Sequence, residues 1–298
     1  MSRYGYYQPE SLDEAFRLKK TIPESLYISG GTDLMVRIKK RDLRPRALIS
    51  LRSITNLSGI KNGKIIRIGA MTSISDLLKN SLLYEKYPLL IQAAKELGSV
   101  QIRNMATIGG NLCNGSPAAD MAPPLLVIEA KVRLQSGQKS RDLPLEKFFL
   151  GPGETDLSPG EILTGILLEP PEQNTKTIFL KKGRMRMDLA VASVAAQIRT
   201  EGDRCLRARI AAGSVAPTPV RLCEVEAFLE GAALSRELLT EAQQLAAKSV
   251  SPITDVRSTA DYRCHLVGVL VKRALEKLLD NEFEEFGDRE EFGDRYRI

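Results

Sequence analysis

Two diglycine segments carry the residues of this 298-residue chain best suited to chemistry: YISGGTDLM over Tyr27–Met35, and QIRNMATIGGNLCNGSPAADMAPP over Gln101–Pro124. The second packs Gly109-Gly110, small turn residues and a single carboxylate, Asp120, into a stretch whose only basic residue is Arg103. Glycines permit positive φ and remove Cβ atoms, so successive amide N–H groups there can converge on an anion such as a pyrophosphate. In the first segment Leu26, Tyr27 and Ile28 read as a short strand. It breaks at Gly30-Gly31 into a helix bearing Leu34, Val36 and Ile38, with Thr32 and Asp33 in its first turn. Strand, glycine turn and helix start together make a phosphate cradle. Either diglycine alone is more simply read as a tight turn, and the carboxylate of Asp120 suits a helix cap as well as a ligand contact.

Other chemistries are excluded by what the chain lacks. There is no GxSxG elbow, and the single histidine, His265, allows neither a catalytic triad nor a two-histidine metal helix; it is expected to pack within a helix. Cys113, Cys205, Cys223 and Cys264 are scattered without a CxxC pair, which argues against a zinc site or a thiolate-held cluster and suggests reduced structural thiols. GPG at Gly151–Gly153 lacks the third glycine of a dinucleotide fingerprint. Seven basic side chains lie between Arg37 and Arg52, but no aromatic residue interleaves with them, so a solvated face is expected and no nucleic acid. No run of about 18 apolar residues is available to span a membrane, and the first residues lack the apolar core of a signal peptide. A cytoplasmic location is expected.

These segments need elements to hold them. Helical spacing occurs at Leu12–Lys20, Thr32–Arg41, from Ser73, and at Pro88–Leu97. Strand patterns occur at Leu48–Leu51, Lys64–Gly69, Lys131–Gln135 and Ile162–Leu168, and the second glycine segment is expected as a loop. A first unit ends near Pro170-Pro171. Beyond it, strands at Thr177–Lys181, Ala190–Arg199 and Arg207–Val215 precede helices at Arg221–Leu229, Ser235–Val250 and Asp261–Leu279. The expected domains are residues 1–172, in parts of about 1–55 and 56–172, then 173–281. A charged tail over 282–298, holding EEFGDR twice, is expected to be mobile.

SGGTDLM and RNMATIGGNLCNGSPAADMAPP resemble the two flavin-binding loops of the FAD subunit of molybdenum hydroxylases, a family that includes xanthine dehydrogenases and aerobic carbon monoxide dehydrogenases. The resemblance continues through GPGETDLSPGEILTGI (Gly151–Ile166), FLKKGRMRMDLAVASVAA (Phe179–Ala196) and AAGSVAPTPVRL (Ala211–Leu222), covering nearly the whole chain. It implies an α+β protein. A two-part FAD-binding domain of the PCMH or vanillyl-alcohol-oxidase-like kind would precede a small C-terminal domain with an antiparallel sheet and three helices, like that of carbon monoxide dehydrogenase flavoproteins.

The resemblance also implies noncovalent FAD held by Tyr27, Ile28, Ser29, Gly30, Gly31, Thr32, Asp33 and Leu34, with the amides of residues 30–33 on the pyrophosphate. Thr107, Ile108, Gly109, Gly110 and Asn111 would close the site from the other side, and Asp120 would accept from ribose or adenine donors. Leu97, Leu163 and Lys181 match further FAD contacts. No side chain of this chain is assigned a catalytic role and no metal is expected within it. The implied partners are a small subunit with iron-sulfur clusters and a large subunit with the molybdenum cofactor. Electrons would pass from the clusters through FAD to NAD+ or another acceptor. Gly98–Gly115 is most similar to the purine-hydroxylase branch, so a xanthine dehydrogenase-like oxidoreductase is expected. The alternatives are an independent FAD oxidase or reductase of similar fold, and a scaffold that has lost its flavin.

Overall fold

The computed structural model describes residues 4–279, so the charged segment 282–298 with its EEFGDR repeat lies outside the described residues. The chain opens with strand β1 (Gly5–Tyr7), helix α1 (Leu12–Thr21), β2 (Ser25–Ile28), α2 (Leu34–Lys39) and β3 (Ala47–Ser50). Helix α1 starts where the Ser11 hydroxyl accepts from the Glu14 amide, with acids in its first turn and lysines in its last. The three strands form a parallel sheet in the order β1-β3-β2. Strand β1 was not anticipated, because three residues are too few to show an alternating pattern.

The middle of the chain adds β4 (Ile60–Lys61), β5 (Ile66–Gly69), and a run of short helices: α3 (Ile74–Leu77), α4 (Ser81–Lys86), α5 (Pro88–Glu96), α6 (Val100–Met105), α7 (Ile108–Cys113) and α8 (Ala122–Val127). Pro88 sits in the first turn of α5, where its missing N–H costs nothing. Strands β6 (Lys131–Ser136), β7 (Lys139–Pro144), β8 (Phe149–Gly151), β9 (Glu154–Thr155) and β10 (Ile162–Leu168) follow. An antiparallel sheet runs β4-β5-β10-β6-β7, with β8 and β9 forming a separate pair. Strand β7, KSRDLP, is an edge strand with no buried position, so it carries no apolar alternation to read. Central β10 is buried at every position. Its Ile162 belongs to the core shared with Ala15, Ile49 and Leu57, which ties the parallel sheet to this one.

The C-terminal part is a four-stranded antiparallel meander of β11 (Thr175–Lys182), β12 (Ala192–Glu201), β13 (Arg204–Gly213) and β14 (Val220–Arg221), followed by α9 (Cys223–Leu229), α10 (Arg236–Lys248) and α11 (Ala260–Leu279). Successive side chains point to opposite faces of a strand. Phe179, Ala195 and Ala211 therefore join the core of the middle sheet and its helices, while Ile178, Val194, Ala196 and Ile210 pack under the C-terminal helices. His265 lies on α11 but is exposed rather than packed, which corrects the expectation. No helix among the described residues is long and apolar enough to cross a membrane.

Candidate functional site

A cavity of about 470 Å³ lies where the β2–α2 turn, the start of α7, the segment before α8 and the loop between β11 and β12 meet. That volume is typical of small-molecule and cofactor sites. The first wall is the turn from Ser29 to Asp33. Gly31 has φ +74°, and a Cβ on Gly30 would lie 1.9 Å from the Met105 carbonyl oxygen, so neither position admits another residue without rearrangement. Helix α2 begins only at Leu34, and its preceding Asp33 makes no side-chain cap. The amides of Gly30, Gly31, Thr32 and Asp33 donate no hydrogen bond to any described residue. They remain available to an anion, and Arg37, one turn further on, is the basic residue of the lining.

The second glycine segment works differently from the expectation. It is the first turn of α7, not a loop, and neither Gly109 nor Gly110 has positive φ. Its amides are already used: Ile108 donates to the Thr72 carbonyl (3.0 Å), Gly109 to that of Ala70 (2.9 Å), Gly110 to the Thr107 hydroxyl (3.0 Å) and Asn111 to the Thr107 carbonyl (2.9 Å). Glycine is needed here for close packing. A Cβ on Gly109 would sit 2.6 Å from the Cβ of Ala70, and one on Gly110 would sit 2.6 Å from Ser29 Oγ and 2.9 Å from Thr107 Oγ1. The Gly110–Ser29 approach brings the two glycine segments side by side. Asn111 Oδ1 accepts from the Met121 amide (3.3 Å), drawing the segment around Asp120 against α7.

Asp120 is the most constrained polar group of the lining, with its side chain only 5% exposed. Lys181 Nζ, equally buried, donates to its Oδ2 at 2.7 Å and to the Glu96 carbonyl at 3.0 Å. The other oxygen, Oδ1, is buried with no partner. Burial outweighs the neighbouring ammonium and pushes the Asp120 carboxyl up to about 6. An unsatisfied buried acceptor costs free energy, so a ligand N–H or O–H placed there supplies a hydrogen bond that no described residue makes. The donor set thus suits a ligand with a phosphate-like anion at one end and a hydrogen-bond donor at the other.

Of the residues the resemblance implies for the site, Tyr27, Ile28, Ser29, Gly30, Gly31, Thr32, Asp33, Leu34, Leu97, Thr107, Gly110, Asn111 and Asp120 line the cavity. Ile108, Gly109, Leu163 and Lys181 do not. Ile108 and Leu163 are core residues, Gly109 is pressed on Ala70, and Lys181 stands behind Asp120. Sequence reasoning missed the cavity-facing Asn114, Ser116 and Cys113, although all three sit inside the second glycine segment. It also missed Met187, Asp188 and Leu189, for which no local signal exists. Burial pushes the Cys113 thiol up to about 12, so it is no thiolate nucleophile near neutral pH.

Comparison with known proteins agrees over nearly the whole chain. Residues 2–170 match the family described as FAD binding domain in molybdopterin dehydrogenase, and residues 178–278 match the CO dehydrogenase flavoprotein C-terminal domain. The xanthine dehydrogenase FAD-binding subunit of Escherichia coli O157:H7 is 30% identical, with 92% of this chain and 95% of that protein covered. The glyceraldehyde dehydrogenase medium chain of Sulfolobus acidocaldarius is 33% identical, covering 92% and 98%. A solved carbon monoxide dehydrogenase from Hydrogenophaga pseudoflava superposes with a TM-score of 0.90 at 33% identity, over 93% of this chain and 97% of that one.

Proposed function

Because this chain belongs to the family of FAD-binding medium subunits of molybdenum hydroxylases, whose complexes are oxidoreductases, we propose that its cavity holds FAD without a covalent bond and that the flavin relays electrons from iron-sulfur clusters of a partner subunit to NAD+ or another acceptor. The observation that carries the reading is the buried, partnerless Oδ1 of Asp120 in the same lining as the four free amides of residues 30–33. FAD supplies the redox chemistry when bound; the work of this chain is to bind, orient and shield it. The amides of Gly30 to Asp33, with Arg37, meet the pyrophosphate. Asp120 Oδ1 accepts from the ribose or adenine, and Lys181 holds that carboxylate in place through Oδ2. Asn111 and Thr107 set the position of the second wall, backed by Ile108, Gly109 and Leu163.

The noncovalent reading rests on chemistry as well as geometry. Cys113 is the only cysteine of the lining and is held as a neutral thiol, while His265 faces a separate groove beside α11. The substrate-oxidising centre belongs to the proposed large molybdenum subunit, and the small subunit would carry the clusters. A xanthine dehydrogenase-like complex is favoured by the Gly98–Gly115 segment. The first test is the absorbance spectrum of the purified full chain supplied with FAD. Flavin bands that move to the supernatant on acid precipitation are expected, and a chain that takes up no flavin refutes the reading. Expression with its neighbouring subunits, followed by turnover with xanthine, glyceraldehyde and carbon monoxide in parallel, tests the complex and its substrate.

A further inference from the structure

Arg263, near the start of α11, is 2% exposed and does not line the cavity. Its guanidinium joins two backbone carbonyls and one carboxylate from three separate stretches of the chain. Nη1 donates to the carbonyls of Val191 (3.2 Å) and Ser214 (2.8 Å), and Nη2 donates to Asp255 Oδ1 (2.6 Å). Two of those stretches lead directly to the cavity. Val191 lies two residues after Leu189, the last of the three cavity residues on the β11–β12 loop. Ser214, held in the left-handed region at φ +65°, donates its amide to the Pro117 carbonyl at 2.7 Å, and Pro117 is flanked by the cavity residues Ser116 and Ala118.

Asp255 is clasped independently by Arg257, whose Nε and Nη2 donate to Oδ2 at 2.9 and 2.6 Å, so its carboxyl stays well below the usual carboxylate range. Arg257 and Arg263 thus share one carboxylate and leave the cluster with one net positive charge, and Arg263 Nε is buried without a partner. A planar guanidinium can serve two carbonyls and a carboxylate at once, whereas a lysine ammonium is a point charge on a flexible stem. A buried ion pair of this kind is by itself weak evidence for a stabilising role.

Resting on the flavin reading of the cavity, we propose that Arg263 is a positioning residue for the cofactor: its fork sets the distance between the Met187–Leu189 wall and the Ser116–Asp120 wall, and so governs how tightly FAD is held. Arg263 does not line the cavity and acts only through Val191, Ser214 and Pro117.

The full chain, as wild type, Arg263→Lys and Arg263→Gln, is titrated with FAD by flavin fluorescence, with melting temperature and far-UV circular dichroism of the FAD-free proteins measured alongside. Arg263→Gln is expected to bind FAD at least tenfold more weakly while folded, with Arg263→Lys intermediate and the visible circular dichroism of the bound flavin altered in both. An unchanged Kd with only a lower melting temperature overturns the proposal and leaves Arg263 a stability residue. Hydrogen exchange of the wild type gives a check that needs no variant to fold. FAD should slow exchange over residues 187–192 and 213–216 as well as over 27–34, and protection confined to 27–34 overturns the proposal. A wild type showing neither FAD uptake nor protection at 27–34 refutes the cofactor reading, and the proposal with it.

Discussion

With Asp120 Oδ1 assigned to the cofactor as proposed, FAD affinity should depend on pH in a calculable direction. In the FAD-free protein burial raises this carboxyl from 3.8 to about 6, so below pH 6 Asp120 is mostly protonated. A cofactor N–H or O–H that donates to Oδ1 favours the carboxylate, so binding is fully expressed above about pH 6 and lost as pH falls through it. With the carboxyl of the complex well below 5, one bound proton lowers affinity about tenfold at pH 5 relative to pH 7, or about 1.4 kcal/mol. The sign reverses for the stability of the FAD-free fold. A group whose folded pKa is raised contributes stability that is complete below about pH 4 and disappears as pH rises through about 6. The shift of about two units corresponds to at most about 3 kcal/mol. FAD titrations by fluorescence quenching from pH 5 to 8, beside thermal melts of the FAD-free chain, measure both. Asp120→Asn should flatten the affinity profile. At pH 7 it should weaken binding by about ten- to a hundredfold, the worth of a hydrogen bond to a charged group at about 1.5–3 kcal/mol. A wild-type affinity unchanged between pH 5 and 7, or an Asp120→Asn protein with undiminished affinity, would refute the assignment of Oδ1 to the cofactor.

Lys181→Met leaves the Asp120 carboxylate buried without its partner; chemical denaturation at pH 7 should show a loss of about 3–5 kcal/mol, recovered in part at pH 5 as Asp120 protonates. Gly110→Val pushes a branched side chain against Ser29 and Thr107, so the folded variant should carry no flavin, and wild-type flavin content in it counts against the packing argument. The isolated chain with FAD should pass electrons from reduced nicotinamide or an artificial donor to a dye. It should oxidise no purine, aldehyde or carbon monoxide, and hydroxylase turnover by this chain alone would sink the subunit reading.

Much of the site was legible locally. A strand ending at Ile28, a glycine at Gly31 that must accept positive φ, and a helix beginning a few residues later are all specified within a dozen positions, because backbone preference and capping act over that range. The same holds for β10, whose unbroken apolar run announces a central strand, and for the α10 and α11 patterns. The role of Gly109-Gly110 was not legible. Identical residues could serve an anion or a close contact, and only the positions of Ala70 and Ser29 decide for the contact. Edge strand β7 and three-residue β1 were invisible for the complementary reason: neither buries enough side chain to impose a pattern.

By itself, then, the sequence determined which segment could offer free amides to a phosphate and which carboxylate was available near it. Only the tertiary structure decided that Lys181, sixty-one residues away, meets Asp120 through one oxygen and leaves the other unsatisfied. It also decided that a loop after β11 closes the cavity and that Arg263 ties that loop to the wall beside Pro117. Burial, unlike a dihedral preference, depends on which distant surfaces pack together, and it is burial that raises the Asp120 carboxyl despite its ion pair with Lys181.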